Sequence, residues 1–495
     1  MKEAVLNMRG KTEELLCMPQ YIYIVCLAAF IFHIFALDLI GIMTFAILGG
    51  LFLVLFDDVR PGFTLIFTTI FIVSTQNSPG YGKGEEYYAK PEIIYPLLVT
   101  LGFVVLCMAA RTIIRRKNLL DGKSYIPFAL LSAVMLLSGI GHPDANFYKE
   151  SLLYAAFGLF SYLVLYVLFT GCIDRSEGLF DYVANLMTAL CLLISLEVLF
   201  VYVLNMFPPF EWLPANWKKY MTGGEFNANW KNIIITGWGV SNVAGELIVM
   251  TAPFVFYKML HGNKKYTVLY ALVIFFSATM IFFTLSRNAM LFGGVLYIAL
   301  FIYTFIKTDK KKTYALCLGG YFGFLLAVVI AILGQTDIHK VFDYIGEMLA
   351  FGEINGDGVH LKWHGRDKLI RIAFDYFRED IWLGGGFAKS LHVGAYAVRA
   401  TFFQALFHNF VFQAIGSGGI LGIIAMLVFV GYAVKTFSGK YKNNVFMLAF
   451  AISFGLMALF DTIYYIPYTV MFLVLMIVVT EKTKYNAEVK LLKNE

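Results

Sequence analysis

The chain has 495 residues, which would suit about three soluble domains, but 59% of them are hydrophobic, 17% aromatic and only 15% charged. A mean hydropathy of +0.72 excludes a soluble globular chain, which carries roughly 25% charge, and 48 Phe and 30 Tyr against 12 Pro exclude disorder. The formal charge of +6 bears on membrane sidedness more than on nucleic acid, because Lys and Arg collect in short cytoplasmic loops.

Fourteen apolar stretches follow one another along the chain. They run over 20–37, 39–56, 62–74, 92–110, 125–141, 151–170, 179–207, 233–257, 267–285, 288–306, 313–335, 408–434, 444–460 and 462–480, near the length that crosses a hydrocarbon core. The third is the shortest and leans on its neighbours. The polar, basic start (Lys2, Arg9, Lys11) is followed by no small-residue cleavage site, so the first stretch reads as an uncleaved helix.

If the spans alternate from a cytoplasmic amino terminus, 24 of the 39 Lys and Arg fall inside, eight in the long segment 336–407 and seven elsewhere outside. Long loops do not obey the charge rule, so the comparison is 24 against seven, and both termini are expected in the cytoplasm. All six Trp (Trp212, Trp217, Trp230, Trp238, Trp363, Trp382) then fall on or beside the outer face. Such residues anchor helices at the interface, and they also offer flat platforms to sugar rings; the one-sided set favours a polar-ligand surface outside. The six cysteines (Cys17, Cys26, Cys107, Cys172, Cys191, Cys317) form no CxxC pair and signal neither a disulfide framework nor a zinc site.

Taken in chain order, four motifs carry chemistry. Gly237 to Glu246 opens a span, with Asn242 and Glu246 four apart on one helix face; Glu246 and Glu197 are the acids deepest in spans and should face the bundle interior. Leu285-Ser286-Arg287-Asn288-Ala289 joins two spans with hardly any loop. Arg287 there reads either as a side chain reaching for headgroups or as an anion clamp whose guanidinium fork suits phosphate oxygens. Trp363-His364-Gly365-Arg366-Asp367 heads a helical pattern (Leu369, Ile370, Ala373, Phe374, Phe377, interspersed with Arg366, Lys368, Arg371 and Arg378) that predicts a basic amphipathic helix at the membrane surface, stopped by Gly384-Gly385-Gly386. His360 and His364 have i,i+4 spacing, but no HExxH glutamate or carboxylate cluster accompanies them, so zinc is not favoured. Last, Phe407-His408-Asn409-Phe410 enters a span rich in glycine (Gly416, Gly418, Gly419, Gly422), which lets a helix or a lipid chain approach closely. His408 reads either as an interfacial anchor or as a proton acceptor, since an unperturbed imidazole is mostly neutral at pH 7.

Together, the Ser-Arg-Asn-Ala step, the Arg-headed helix that runs into three glycines, the His-Asn entry to the next span and the upstream Gly237, Asn242 and Gly245 resemble the O-antigen ligase and O-antigen polymerase superfamily. The resemblance covers about 230–435 and implies an all-α polytopic membrane protein of the GT-C-like kind. About 14 transmembrane helices, both termini cytoplasmic, and one large extracytoplasmic loop with amphipathic helices are expected. The parts would be amino-terminal helices 1–230, helices 231–335 carrying the Asn242 and Ser286-Arg287 motifs, the loop 336–407, helices 408–480 and a tail 481–495.

What the resemblance implies for function is glycan transfer from undecaprenyl diphosphate on the outer face of the bacterial plasma membrane. Arg287 and Arg366 stand where the family binds diphosphate, and His408 where it carries its histidine. Arg371, Arg399, Asn242, Glu246, Trp363 and Asn409 are supporting or acceptor-binding candidates. With no DxD pair in an outer loop, the expected mechanism is inverting and free of metal or cofactor. Polymerisation of lipid-linked repeat units is the first reading, ligation of a finished glycan to a lipid, protein or wall acceptor the second; 28 Lys against 11 Arg hints at an AT-rich, Gram-positive source and leans towards polymerase. The expected partners are the lipid-linked donor, a glycan acceptor, membrane lipids, and a chain-length regulator or flippase, with no nucleic acid. A lipid-linked oligosaccharide flippase would place its polar groups near the midplane and be built from repeats, which fits less well.

Overall fold

The computed structural model describes residues 2–35, 37–73, 91–115, 122–138, 140, 156, 158–173, 178–205, 210–212, 241–333, 352–355, 358–361, 366–386, 407–439, 444–461, 463–464 and 467–492. The helices are α1 Lys2–Leu16, α2 Pro19–Ile34, α3 Asp38–Leu55, α4 Arg60–Val73, α5 Pro91–Ile114, α6 Tyr125–Leu137, α7 Leu165–Cys172 (entered through a π-helical turn, Phe160–Val164) and α8 Leu179–Asn205. They continue as α9 Ser241–His261, α10 Thr267–Phe283, α11 Arg287–Lys307, α12 Lys311–Leu333, α13 Arg366–Glu379, α14 Phe410–Phe437, α15 Asn444–Ala458 and α16 Pro467–Leu492. Each of the fourteen apolar stretches therefore carries a helix. Seven of these helices are by themselves long and apolar enough to cross a membrane, or eight if α1 and α2, bent by 72°, count as one span. The protein is a helical, polytopic membrane protein.

One short hairpin accompanies the helices. Gly352–Asn355 (β1) and Gly358–Leu361 (β2) pair antiparallel, with Asn355 opposite Gly358. The signal was in the sequence, since Asn355-Gly356-Asp357-Gly358 is a hairpin-turn run. His360 thus stands on a strand, so the helical spacing that would bring His360 and His364 together is absent.

The core centres on α8 and α9. Their buried faces, Val183, Leu190 and Ile194 on one and Leu247, Phe254 and Val255 on the other, belong to one continuous apolar cluster. Dispersion and close packing hold such helices together in lipid, so small residues mark the seams. A Cβ on Gly293 of α11 would lie 2.7 Å from Val249 of α9, and one on Gly49 of α3 would lie 2.8 Å from Ile66 of α4.

Arg111 is fully buried on α5. Its guanidinium donates to the carbonyls of Leu53 (2.7 Å), Phe56 (2.9 Å), Asp57 (2.6 Å) and Cys172 (3.3 Å). Carbonyls left open at helix ends need donors, and one arginine closes the ends of α3 and α7 together. The clip continues outwards, where Asp57 pairs with Arg9 and Arg115. The Arg115 hydrogen bond holds the Asp57 carboxyl below the usual carboxylate range.

The glycines of α14 do something the sequence did not announce. Gly419 has φ 58°, and the helix breaks there. The freed backbone groups pair with the segment after α13: Gly385 N donates to Gly416 O (2.8 Å), Gly386 N to Ser417 O (3.1 Å), Ile420 N to Ile381 O (2.8 Å) and Leu421 N to Trp382 O (3.2 Å). So the close approach at these glycines is made by backbone, where another helix or a lipid chain was expected. A Cβ on Gly419 would stand 2.6 Å from Ile381 O, and one on Gly384, also at positive φ, 2.7 Å from Gly416 O. Gly419→Ala or Gly384→Ala should therefore cost about 1–3 kcal/mol, read as a lowered thermal midpoint of the detergent-purified protein. Gly431→Ala, on the same helix with open space around it, should leave the midpoint unchanged or raise it.

Candidate functional site

Four elements meet at one end of the bundle. The α10–α11 junction turns within three residues, with Leu285 at φ 53°. Thr284 Oγ1 accepts from Ser286 N (3.3 Å), and Ser286 caps α11 by accepting from Ala289 N (3.3 Å). Arg287 becomes the first residue of α11, half-buried, with no hydrogen bond or ion pair among the described residues. A cation is being held at the positive end of a helix dipole, where an anion is the stabilising partner.

Helix α9 lies directly against this turn. A Cβ on Gly245 would stand 2.7 Å from Ala289 Cβ and 2.8 Å from Thr284 Oγ1, so glycine is what permits the approach. One turn earlier on α9, Asn242 Nδ2 donates to Asp461 Oδ2 (3.0 Å). The other carboxylate oxygen, Oδ1, is 3.2 Å from His408 Nδ1. Asp461, which sequence reasoning missed, thus ties α9 to the start of α14. Only 4% of its side chain is exposed, against 35% for His408, so the imidazole is reachable while its carboxylate partner is hidden. With Asp461 ionised, Nδ1 carries the proton and Nε2 is left as an acceptor.

His408 sits at φ 51°. It and Leu285 are the two non-glycine residues with positive φ among the described residues, and both adjoin the polar seam. Such conformations cost of order 1–3 kcal/mol and cluster at functional sites. The surroundings hold the His408 turn firmly. Asn409 caps α14 by accepting from Val411 N (2.8 Å) and Phe412 N (3.1 Å), and its Nδ2 donates to Leu459 O (2.7 Å). Gln413 accepts from Phe407 N (3.1 Å) and from Tyr464 Oη (3.1 Å) and donates to Ser417 (2.6 Å). Phe460, beside Asp461, packs on Phe292 of α11 with ring centroids 5.2 Å apart.

The Arg-headed helix is where the sequence put it, but it presents a different face. Ala373, Tyr376 and Phe407 form a small core, with Leu369, Ile372 and Phe412 against it, while Phe374, predicted in the stripe, is exposed. The helix docks edge-on against α14, so the buried face turns about one residue from the predicted one. Since Phe407 precedes His408, α13 braces the His408 turn through its chain neighbour.

The candidates then divide. The structure joins Asn242 and His408 through Asp461 and lays the Arg287 turn against the same face of α9. Asn409 is a helix cap and turn clasp, and Glu246, fully buried a turn below Asn242, has no surface for an acceptor to touch. Arg371 is exposed on α13. Arg366 opens α13, but its side chain, like all of Trp363 and Arg399, lies outside the described residues. Among the described residues no group of three His, Cys, Asp or Glu is placed to hold a metal.

Residues 271–427, about a third of the 495 residues, match the family described as O-Antigen ligase, which supports the resemblance to the O-antigen ligase and polymerase superfamily. No curated protein matches the chain. The matched segment holds Arg287, Arg366 and His408, while Asn242 and Asp461 lie on either side of it. Their sequence signal is slight: Asp461 is a lone acid between two apolar spans at the expected outer end. If Asp461 orients the imidazole, Asp461→Asn should lower glycan-transfer turnover by about 10²-fold or more with donor binding retained. Asn409→Ala should instead lower the thermal midpoint, by about 1 kcal/mol in stability for the lost cap.

Proposed function

We propose that this protein is an inverting, metal-independent polymerase of undecaprenyl-diphosphate-linked oligosaccharide repeat units at the outer face of a bacterial plasma membrane. The observation that carries this reading is the seam Asn242–Asp461–His408 beside the Arg287 helix start. In the reaction, the acceptor hydroxyl gives its proton to His408 Nε2 as its oxygen attacks the anomeric carbon from the face opposite the diphosphate. The bond from that carbon to the phosphate oxygen breaks, and the lipid diphosphate leaves with the electron pair. Arg287, with Arg366, holds the growing negative charge. Transfer of a finished glycan to a lipid, protein or wall acceptor uses the same groups and remains the second reading; the lysine-rich composition favours the first.

The topology proposed is the fourteen-span one, with both termini cytoplasmic, the segment 336–407 outside, and parts divided at 230, 335, 407 and 480. It is supported by a helix in each apolar stretch and by the ends of α9, α11 and α14 remote from the site carrying Lys258, Lys307 and Lys435. In a variant stripped of its native cysteines, Trp382→Cys should react with a membrane-impermeant maleimide added outside intact cells. Asp309→Cys should react only after lysis; the reverse pattern contradicts the topology.

The base and the arginines should separate in mutants. His408→Ala should bind the lipid-linked donor almost normally yet lose on the order of 10²–10⁴ in turnover. Arg287→Ala should weaken the donor complex itself, with Arg287→Lys restoring only part because the bidentate fork is gone. Effects of Arg287 and Arg366 variants should be non-additive, since both hold one diphosphate. Donor binding and polymer length on a gel read both; a fully active His408→Ala protein would remove the histidine from catalysis.

A further inference from the structure

The end of the bundle remote from the site carries a feature that glycan transfer does not use. Helix α11 has 21 residues, so Lys307 at its end lies about 30 Å along the axis from Arg287. There the chain turns through Thr308, Asp309 and Lys310 into α12, and residues Ile306 to Thr313 line a cavity of about 650 Å³. Four of those eight residues are lysines (Lys307, Lys310, Lys311, Lys312), against the single carboxylate of Asp309. A second basic turn, with Lys264 and Lys265 leading into α10, adjoins the first: Lys310 Nζ donates to Thr267 Oγ1 (2.9 Å).

Charge asymmetry between the two membrane faces explains why lysines occur in such loops. It does not explain this arrangement. Lys310 is drawn partly out of water and into the field of Lys264, and burial first, then that neighbour, push its amine below the usual lysine value. Lys311 and Lys312 open α12, and neither α10 nor α12 has an acid in its first turn, so the lysines also oppose two helix dipoles. A cluster that stacks like charges in this way is stabilised by an anion.

The apolar surroundings narrow the anion's kind. Leu291, Val295, Ile298, Ile302 and Ile306 recur along one side of α11, each more than half exposed, and the last of them lines the lysine cavity. Helix α12 leans on α10, with Tyr321 stacked on Phe275 at 4.4 Å and hydrogen-bonded to Thr279 at 2.8 Å. It leaves Leu316 exposed and open space at Gly319 and Gly323. An apolar track thus leads along the membrane-spanning part of α11 straight into a cationic cavity. We infer that this corner is a binding site for an anionic phospholipid, with its phosphodiester head on Lys307, Lys310, Lys311 and Lys312 and an acyl chain along Ile306, Ile302 and Ile298.

The full-length protein in detergent, titrated with phosphatidylglycerol, with phosphatidylcholine of the same chain length, and with inorganic phosphate, tests this by native mass spectrometry and thermal midpoint. Phosphatidylglycerol should be retained and should raise the midpoint, well ahead of the other two. The K310Q/K311Q/K312Q variant should bind it roughly 10–10²-fold more weakly, at the attraction typical of each lysine near an anionic lipid surface. Lys435→Gln, a basic residue at the same end of the bundle, should change nothing. Equal retention of phosphatidylcholine, or unaltered phosphatidylglycerol binding in the triple variant, overturns the site as mere annular lipid. Inorganic phosphate competing as well as the lipid overturns it in favour of a free anion. Should the triple variant not fold, the wild-type competition among the three probes decides alone, and K310R/K311R/K312R should bind as wild type.

Discussion

A carboxylate sealed from water inside a membrane protein is stable only if its lone pairs are met by good donors. Asp461 answers that constraint with Asn242 on one oxygen and His408 on the other. The two bonds lock together α9, the α15–α16 turn and the entrance to α14, three elements that the chain keeps far apart in sequence. Around that lock the rest of the site is arranged: α9 presents Gly245 to the Arg287 turn, and Phe460 carries the Asp461 turn against Phe292. The same bond that satisfies the carboxylate also orients the imidazole.

Two breaks in helical geometry serve this arrangement. At Leu285 the chain reverses with no loop, placing an arginine on the first turn of a helix rather than on a mobile connection. At Gly419 the break in α14 exposes backbone groups that the segment 381–386 then satisfies. Through that pairing and the Ala373–Tyr376–Phe407 core, α13 is fastened to the helix that His408 opens. Fixed groups on rigid elements cost no reorganisation when charge develops, which is what the proposed transfer would need.

Much of the fold was legible because span length and apolarity are strong constraints in lipid; every one of the fourteen apolar stretches contains a helix. The hairpin at 352–361 escaped because two four-residue strands give little periodicity, although the Asn-Gly-Asp-Gly run announced it. Gly245, Arg287 and His408 stood out as polar or small residues at span ends. Asp461 did not, because a single acid between apolar spans has no local pattern, and its role exists only once α9 and α14 are brought together. Arg111 gave no signal for a similar reason: only the three-dimensional meeting of α3, α5 and α7 turns it into a cap for carbonyls. The buried face of α13 was set by docking on α14, which the helical repeat alone does not encode.

The central claim is that Arg287 and the His408–Asp461 pair serve one diphosphate-sugar. An experimental structure of the protein with a non-hydrolysable undecaprenyl-diphosphate sugar addresses it directly. A phosphate is expected within hydrogen-bond distance of the Arg287 guanidinium, with the anomeric carbon on the His408 side. A diphosphate seated more than about 15 Å from His408, beyond any near-attack arrangement, would contradict it.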